Sequence, residues 1–192
     1  MELVEDGLIM DREEKLPSPE TELSCDAPSI ADIPAITDIL GQWTEAEEVQ
    51  KYAERIARAI DGVSEYGMAF WVLKQNNKVI GVGGLADPLP AIKSYAQTEN
   101  PGELKILYMD GAARGQGKGR EFLAFLERAA RDSGRSELLV RSAERYRETA
   151  FDFYKRCGYE DLGHITNEAG LPMEIFRKDL ELKKPDESLD RD

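Results

Sequence analysis

The sequence predicts an α+β fold, in which about four helices flank a central, twisted and mostly antiparallel sheet of about seven strands. Segments with apolar residues at helical spacing alternate with short runs rich in branched and aromatic residues. With 192 residues, 41% of them hydrophobic, the chain is long enough for one packed domain. We expect this domain to span residues 23–180, between a flexible acidic leader at 1–22 and a flexible tail at 181–192.

Two helices are predicted after a short strand at Thr21–Asp26. Isoleucines recur at helical spacing after Ser29, the expected N-cap, and Gly41 ends this first helix. The second helix is Thr44–Ile60, whose first residue forms a capping-box motif with Glu47. Both helices have one apolar face and can therefore pack against a sheet.

A β-hairpin is predicted next, with strands at Met68–Lys74 and Lys78–Leu85. The intervening Gln75–Asn77 suits a tight turn, because Asn tolerates positive φ. The long loop Ala86–Gly102 is expected to be functional or mobile. Three glycines in the second strand would allow another element to approach it closely: Gly81, Gly83 and Gly84.

The second half of the domain is predicted to alternate strands and helices. A buried strand at Leu104–Met109 leads into a glycine-rich turn, and an amphipathic helix follows from about Gly115 to Ser133, before the stop signal Gly134. The remaining predicted elements are the strand Leu138–Val140, the helix Arg147–Cys157, and the strands Tyr159–Gly163 and Pro172–Leu180.

Composition excludes several classes of function. The net charge of -13 disfavours general binding of nucleic acid. The leader carries -6 and the tail -2, so the body at 23–180 carries -5. This acidity could attract a cationic amine, or it could serve solubility alone.

The expected location is cytoplasmic, with no membrane contact. The sequence has neither a long apolar run nor a signal-peptide pattern. Cys25 and Cys157 belong to no CxxC pair and are expected to be reduced thiols. His164 is the only histidine and cannot assemble a histidine metal site, so no metal is expected.

The sharpest local signal is the segment Arg114-Gly115-Gln116-Gly117-Lys118-Gly119, directly after the buried strand. A glycine-rich turn that opens a helix directs several backbone N–H groups at one point, and the helix dipole adds partial positive charge. Glycine also permits close approach of a phosphate. Arg114, Lys118 and Arg120 add cationic side chains, so the segment predicts a site for a diphosphate anion.

Two other phosphate-binding loops fit this segment poorly. A Walker A loop, GxxxxGK[ST], would need glycine where Ala112 stands and a hydroxyl residue at Gly119. A Rossmann loop, GxGxxG, would need glycine at Arg120. A nucleotide phosphotransferase is therefore disfavoured.

Two motifs in this part of the chain resemble those of the GNAT superfamily of N-acetyltransferases. Arg114, Gly117 and Gly119 match the cofactor signature Arg/Gln-x-x-Gly-x-Gly/Ala at the start of the helix after the fourth strand. The segment Arg147–Tyr159 resembles Asn-x-x-Ala-x-x-Phe-Tyr-x-x-x-Gly-Phe/Tyr, with Arg147 in place of the frequent Asn. The likeness spans roughly residues 25–180 and implies the GNAT-like acyl-CoA N-acyltransferase fold.

The resemblance implies acetyl-CoA as the acyl donor and assigns residues to it. The strand residues Leu107, Tyr108 and Met109 would pair with the pantetheine arm where the fourth strand splays from the fifth. Backbone N–H groups of the glycine loop would hold the pyrophosphate. Arg147 could contact a phosphate or face solvent. The full set expected to bind the cofactor is Leu107, Tyr108, Met109, Arg114, Gly115, Gln116, Gly117, Lys118, Gly119, Arg120 and Arg147.

The implied reaction is direct attack of a primary amine on the thioester in a ternary complex. The amine must first lose a proton, and Glu103, at the start of the fourth strand, is the candidate general base. Tyr154 would lie near the cofactor sulfur as general acid. Low-specificity candidates for the acceptor site are Trp43, Ser142, Arg145 and Tyr146.

A second function stays open at this point: a GNAT-like module that binds acyl-CoA without catalysis, as a sensor or partner subunit. The acceptor also stays open, between a small molecule and a protein amine. Many relatives form dimers, so a homodimer is compatible with the resemblance, although no stretch of the sequence identifies an interface.

Overall fold

The computed structural model describes residues 22–167 and 169–180. The predicted flexible tail and all of the predicted leader except Glu22 lie outside the described residues. The domain contains a single mixed sheet with seven strands among these residues, as predicted. Within the described chain, no helix is both long and apolar enough to cross a bilayer.

The observed elements follow the predicted order. The strands are β1 (Leu23–Asp26), β2 (Ala69–Gln75), β3 (Lys78–Ala86), β4 (Pro101–Met109), β5 (Glu137–Ala143), β6 (Glu160–Thr166) and β7 (Pro172–Asp179). The helices are α1 (Ile33–Gly41), α2 (Ala46–Ile60), α3 (Pro90–Lys93), α4 (Lys118–Asp132) and α5 (Asp152–Arg156). The unpredicted α3 lies in the segment that was expected to be a loop.

The sheet has the order β1-β2-β3-β4-β5-β7-β6. Every neighbouring pair is antiparallel except β4 and β5, which run parallel. The β2–β3 hairpin turns through Asn76 and Asn77 at φ values of 49° and 63°, as their tolerance of positive φ predicts. The mostly antiparallel sheet is thereby confirmed, and the single parallel pair lies at its centre.

Helix starts differ from the sequence interpretation. Helix α1 begins at Ile33, after a 3₁₀ turn at Ile30–Asp32 that follows Ser29, and α4 begins at Lys118 and not near Gly115. Thr44 does not cap α2, because its hydroxyl donates to the Glu48 side chain and the helix begins at Ala46 after Glu45. The predicted helix Arg147–Cys157 instead begins with a π-turn at Arg147–Phe151, and only its second half is α5. A π-turn inserts one extra residue per turn and commonly marks a functional site.

The sheet is covered on both faces. One core packs α1 and α2 against β2 and β3, and the other packs α4 and α5 against β3, β4, β5 and β7. Helix α4 approaches β3 closely, as the strand's glycines predicted: a Cβ atom built at Gly83 would lie 2.6 Å from Cδ1 of Leu126 and 3.2 Å from the Phe122 ring. The missing side chain at Gly83 therefore sets the distance between α4 and the sheet.

We expect Gly83→Ala to lower the free energy of unfolding by about 1–3 kcal/mol, because the added methyl overpacks a fully buried contact. Urea denaturation monitored by circular dichroism would measure the change. Gly41→Ala is the matched control, since a Cβ there meets no atom within 4 Å at the end of α1. An unfolding free energy equal to that of the parent protein in Gly83→Ala would contradict the packing argument.

Candidate active site

The parallel strands β4 and β5 separate part-way along their length. They pair from Pro101–Leu104 to Glu137–Val140, and beyond these residues β5 pairs only with β7. Lys105 has no partner in the register between β3 and β4, which marks a β-bulge at the same level. The backbone from Lys105 to Met109 is therefore without a neighbouring strand on the β5 side, as the predicted splay requires.

A cavity of about 550 Å³ opens on one side of this splay. Its walls come from the end of β4, the glycine loop, the start of α4, the π-turn and α5. The residues that line it are Leu107, Met109, Ala113, Arg114, Gly115, Gly117, Gly119, Arg120, Glu148, Thr149, Ala150, Phe153, Tyr154, Arg156 and Cys157. We call it the donor cavity.

The glycine loop presents free backbone donors to the donor cavity. Gly115 and Gly117 have φ values of 74° and 78°, which glycine adopts without strain, and α4 begins at Lys118 after Gly117 as N-cap. Among the described residues, none accepts a hydrogen bond from the five N–H groups of Gly115–Gly119. Together with the dipole of the 15-residue α4, these unpaired N–H groups are of the kind that can bind an anion.

The cationic side chains of the loop divide into two groups. Arg114 and Arg120 line the donor cavity. Lys118 instead donates to Gln75 and, at 2.6 Å, to Gln116 on the opposite side of the loop. Arg147 is held by Glu144 at 2.9 Å and does not line the cavity. Of the cationic side chains of the loop, only those of Arg114 and Arg120 therefore lie where they could neutralise an anion in the donor cavity.

Trp43 fixes Arg114 beside the end of β4. The guanidinium carbon of Arg114 lies 3.5 Å from the centre of the Trp43 ring, a cation–π contact. The indole Nε1 donates to the Met109 carbonyl at 2.8 Å, and the Tyr146 hydroxyl donates to the Trp43 carbonyl at 2.8 Å. Partial burial lowers the pKa of Arg114, yet the group remains a cation at neutral pH.

A second, smaller cavity of about 190 Å³ lies on the other side of the splay. We call it the acceptor cavity. All four candidates for the acceptor site line it: Trp43, Ser142, Arg145 and Tyr146. The segment Ala86–Gly102, which was expected to be functional or mobile, supplies none of its lining residues. The two cavities share the residues Leu107, Arg114, Thr149, Ala150 and Tyr154.

The splay of β4 from β5 next to the glycine loop is the arrangement that the resemblance implied. Comparison with a family model agrees with the family. The model for the acetyltransferase (GNAT) domain matches residues 41–180, which is most of the chain. The protein belongs to the GNAT acetyltransferase family. A search of curated proteins gives no significant match.

Solved structures confirm the GNAT fold. A GNAT-family protein from Desulfovibrio desulfuricans superposes with a TM-score of 0.69 at 17% identity, over 83% of this chain and 99% of its own. An N-acetyltransferase from Staphylococcus aureus gives 0.61 at 17%, over 83% and 99%. The PaiA N-acetyltransferase of Thermoplasma acidophilum, solved in complex with coenzyme A, gives 0.58 at 15%, over 82% and 99%.

Within the GNAT domain, Tyr154 lies at the boundary between the two cavities. Its ring packs 5.4 Å from Phe176 and 5.5 Å from Tyr159, which fixes its orientation. Burial raises the pKa of Tyr154 above that of a solvated tyrosine, so the hydroxyl stays protonated at neutral pH. A protonated hydroxyl at this boundary can donate a proton to a leaving group.

Glu103 lies below the acceptor cavity without lining it. Its side chain is 2% exposed, and Oε1 contacts Arg141 Nη2 at 3.0 Å and Lys105 Nζ at 3.2 Å. Oε2 accepts from the Leu89 backbone at 3.3 Å. The general-base role of Glu103 stays a prediction, and these contacts oppose it, because a base must reach the amine. The contacts instead favour a role in which the Glu103 carboxylate positions the side chains of Arg141 and Lys105.

Lys105 and Arg141 line the acceptor cavity, and sequence reasoning did not single them out. A signal for them existed: both are cations within strands that are otherwise mainly apolar. Charged residues are seldom buried without a partner, so their presence indicates an ion-pair network or a site. The buried Glu103 is the ion-pair partner of both cations, and both of them line the acceptor cavity.

His164 has an unexpected environment. Its ring meets Glu174 across the β6–β7 pair, and ligand atoms of Glu144, His164 and Glu174 lie within 4.8 Å of one another. Both oxygens of Glu144 accept hydrogen bonds from Arg147, however, so a guanidinium already compensates this carboxylate. Within the cluster, Glu144 is therefore already paired with Arg147.

Proposed function

We propose that the protein transfers the acetyl group of acetyl-CoA to a primary amine by direct attack in a ternary complex. The observation that carries this proposal is the junction of the donor and acceptor cavities at Leu107 and Tyr154. Two substrates can occupy the cavities together and meet at that junction. Membership of the GNAT acetyltransferase family supports an acyl transfer there.

The donor cavity suits acetyl-CoA in shape and in donor groups. The five free N–H groups of Gly115–Gly119 would hold the pyrophosphate, with Arg114 and Arg120 beside it. The unpaired edge of β4, from Leu107 to Met109, would bind the pantetheine arm in the manner of an added strand. When bound, the cofactor supplies an activated acetyl thioester.

The chain's own residues contribute orientation, charge stabilisation and a proton. A backbone N–H of β4 near Leu107, on the edge that β5 leaves, would stabilise the oxyanion. Tyr154 would protonate the departing thiolate, since burial raises the pKa of its hydroxyl and keeps the proton in place at neutral pH until the thiolate forms. Glu103 retains the predicted base role only if a relay carries the proton around Arg141 and Lys105.

The proposal is tested by incubating the protein with acetyl-CoA and a broad panel of amines while following thiol release. We expect release that depends on the amine, together with binding of CoA in preference to ATP in calorimetry. Binding of CoA without release for any amine would indicate a non-catalytic acyl-CoA-binding module. Tighter binding of ATP than of CoA would overturn the assignment of the glycine loop.

A further inference from the structure

The acceptor cavity carries more positive than negative charge. Its described lining residues include four cationic side chains and one carboxylate: Lys105, Arg114, Arg141, Arg145 and Glu48. With the buried Glu103 beneath it counted, four cations face two carboxylates, an excess of two positive charges. The chain as a whole has the opposite character, since its net charge is -13.

Arg141 and Lys105 keep hydrogen-bond donors that no described residue uses. Arg141 contacts Glu103 through Nε and Nη2, both at 3.0 Å, and Lys105 contacts the same oxygen at 3.2 Å. A guanidinium has five N–H donors and an ammonium has three, so each cation retains several. Their side chains are only 18% and 10% exposed, which limits compensation by water.

The other two cations have partners or a different position. Arg145 pairs with Glu48 at 2.7 Å at the cavity rim, so together they are neutral. Arg114 stacks on Trp43 and lines the donor cavity as well, where a phosphate would use its charge. The uncompensated charge on the acceptor side therefore lies at Arg141 and Lys105.

We propose that the acetyl acceptor is a small primary amine that also bears a carboxylate, and that Arg141 and Lys105 bind this carboxylate. Charge-assisted hydrogen bonds from a guanidinium fork and an ammonium are the donors that a carboxylate requires. The cavity volume of about 190 Å³ fits a molecule of amino-acid size. A di- or polyamine would place a further positive charge against the two cations. This inference rests on the proposed acetyl transfer.

The test compares acceptors that differ only at the end distant from the amine. Glycine, β-alanine and γ-aminobutyrate would each be compared with their amides and with the diamine of the same length, by thiol release from acetyl-CoA. We expect kcat/KM, corrected for the neutral fraction of each amine, to be at least about tenfold higher for the acids, the factor given by one charged hydrogen bond.

Two results would overturn the inference. Amides or diamines that react as fast as the acids would remove the carboxylate requirement and leave the acetyl-transfer proposal intact. Absence of thiol release with every amine would remove the proposed function, and this inference with it. Both comparisons use the unaltered protein and therefore do not depend on a variant that folds.

The residue assignment is tested with Arg141→Gln. We expect the ratio of kcat/KM for the acids to kcat/KM for the amides to fall at least about tenfold, because only the acids lose an ionic contact. Arg58→Gln is the matched control, an exposed arginine that pairs with Glu65 away from both cavities. An unchanged ratio of acid to amide in a folded Arg141→Gln would remove Arg141 from the site.

Discussion

Replacing Tyr154 by phenylalanine is expected to lower kcat by at least about 100-fold, the lower range for loss of a positioned general acid. The affinity for acetyl-CoA should change little, because the ring and its packing against Phe176 remain. Stopped or continuous thiol-release assays would give kcat, and calorimetry with acetyl-CoA would give Kd. A fall in kcat with constant Kd separates proton donation from cofactor binding.

Tyr159→Phe is the control for this substitution. Tyr159 is as buried as Tyr154, and its ring lies 5.5 Å from that of Tyr154, but it lines neither cavity. The chemical change is the same and occurs in the same aromatic cluster, so a general loss of packing would affect both variants. We expect Tyr159→Phe to retain the kcat of the parent protein.

The pH dependence gives an independent check on Tyr154. The donor form is the neutral hydroxyl, and burial raises its pKa, so protons are lost only above the ordinary value of about 10. We therefore expect no alkaline decline in kcat from Tyr154 up to about pH 10. Unaltered turnover in Tyr154→Phe would exclude it as the acid, whatever the pH profile shows.

Most of the fold could be predicted because local sequence signals agreed with tertiary packing. Asn76 and Asn77 predicted the hairpin turn because Asn tolerates positive φ, which both residues adopt. Gly83 predicted the close approach of α4 to β3. The glycine loop was predictable for the same reason: its amides, its helix and its arginines are contiguous in sequence. Local chemistry of this kind needs no knowledge of the tertiary structure.

Features that depend on contacts between distant segments could not be read in this way. Thr44 has the spacing of a capping box with Glu47, yet its hydroxyl bonds the Glu48 side chain, which also binds Arg145. The π-turn before α5 looks like ordinary helix in sequence. For Thr44, an interaction across the fold, from Arg145 to Glu48, accompanies the loss of the capping box.

The environment of Glu103 is the most consequential example. A glutamate at the start of a strand could be an exposed base or a buried partner, and the pattern of β4 alone does not distinguish them. Arg141 lies 38 residues further along the chain and reaches Glu103 only because β5 pairs in parallel with β4. Lys105, two residues further along the same strand, adds the second cation.

Gly117→Val is expected to weaken binding of CoA by at least about 100-fold, or about 2.7 kcal/mol. Gly117 is the N-cap of α4 at φ 78°, where a side chain meets no protein atom within 4 Å. The new side chain would therefore occupy the space through which a phosphate approaches the free amides, and its strain would displace them. Calorimetry with CoA would measure the loss.

Gly62→Val is the control that distinguishes obstruction of the phosphate's approach from backbone strain. Gly62 has φ 81° and also meets no atom within 4 Å, but it follows α2 and lines neither cavity. Strain of about 1–3 kcal/mol should lower the unfolding free energy of both variants alike. Only Gly117→Val should lose affinity for CoA.

Binding of pantetheine would show which part of CoA loses its contacts in Gly117→Val. Pantetheine lacks the pyrophosphate but retains the arm that the edge of β4 would bind, so its affinity, measured by calorimetry, should be the same in the parent protein and in Gly117→Val. Parallel losses for CoA and pantetheine would mean that the substitution disturbs the whole donor cavity. If CoA binds Gly117→Val as it binds the parent, the diphosphate lies elsewhere, because five amides cannot hold an anion through a valine side chain.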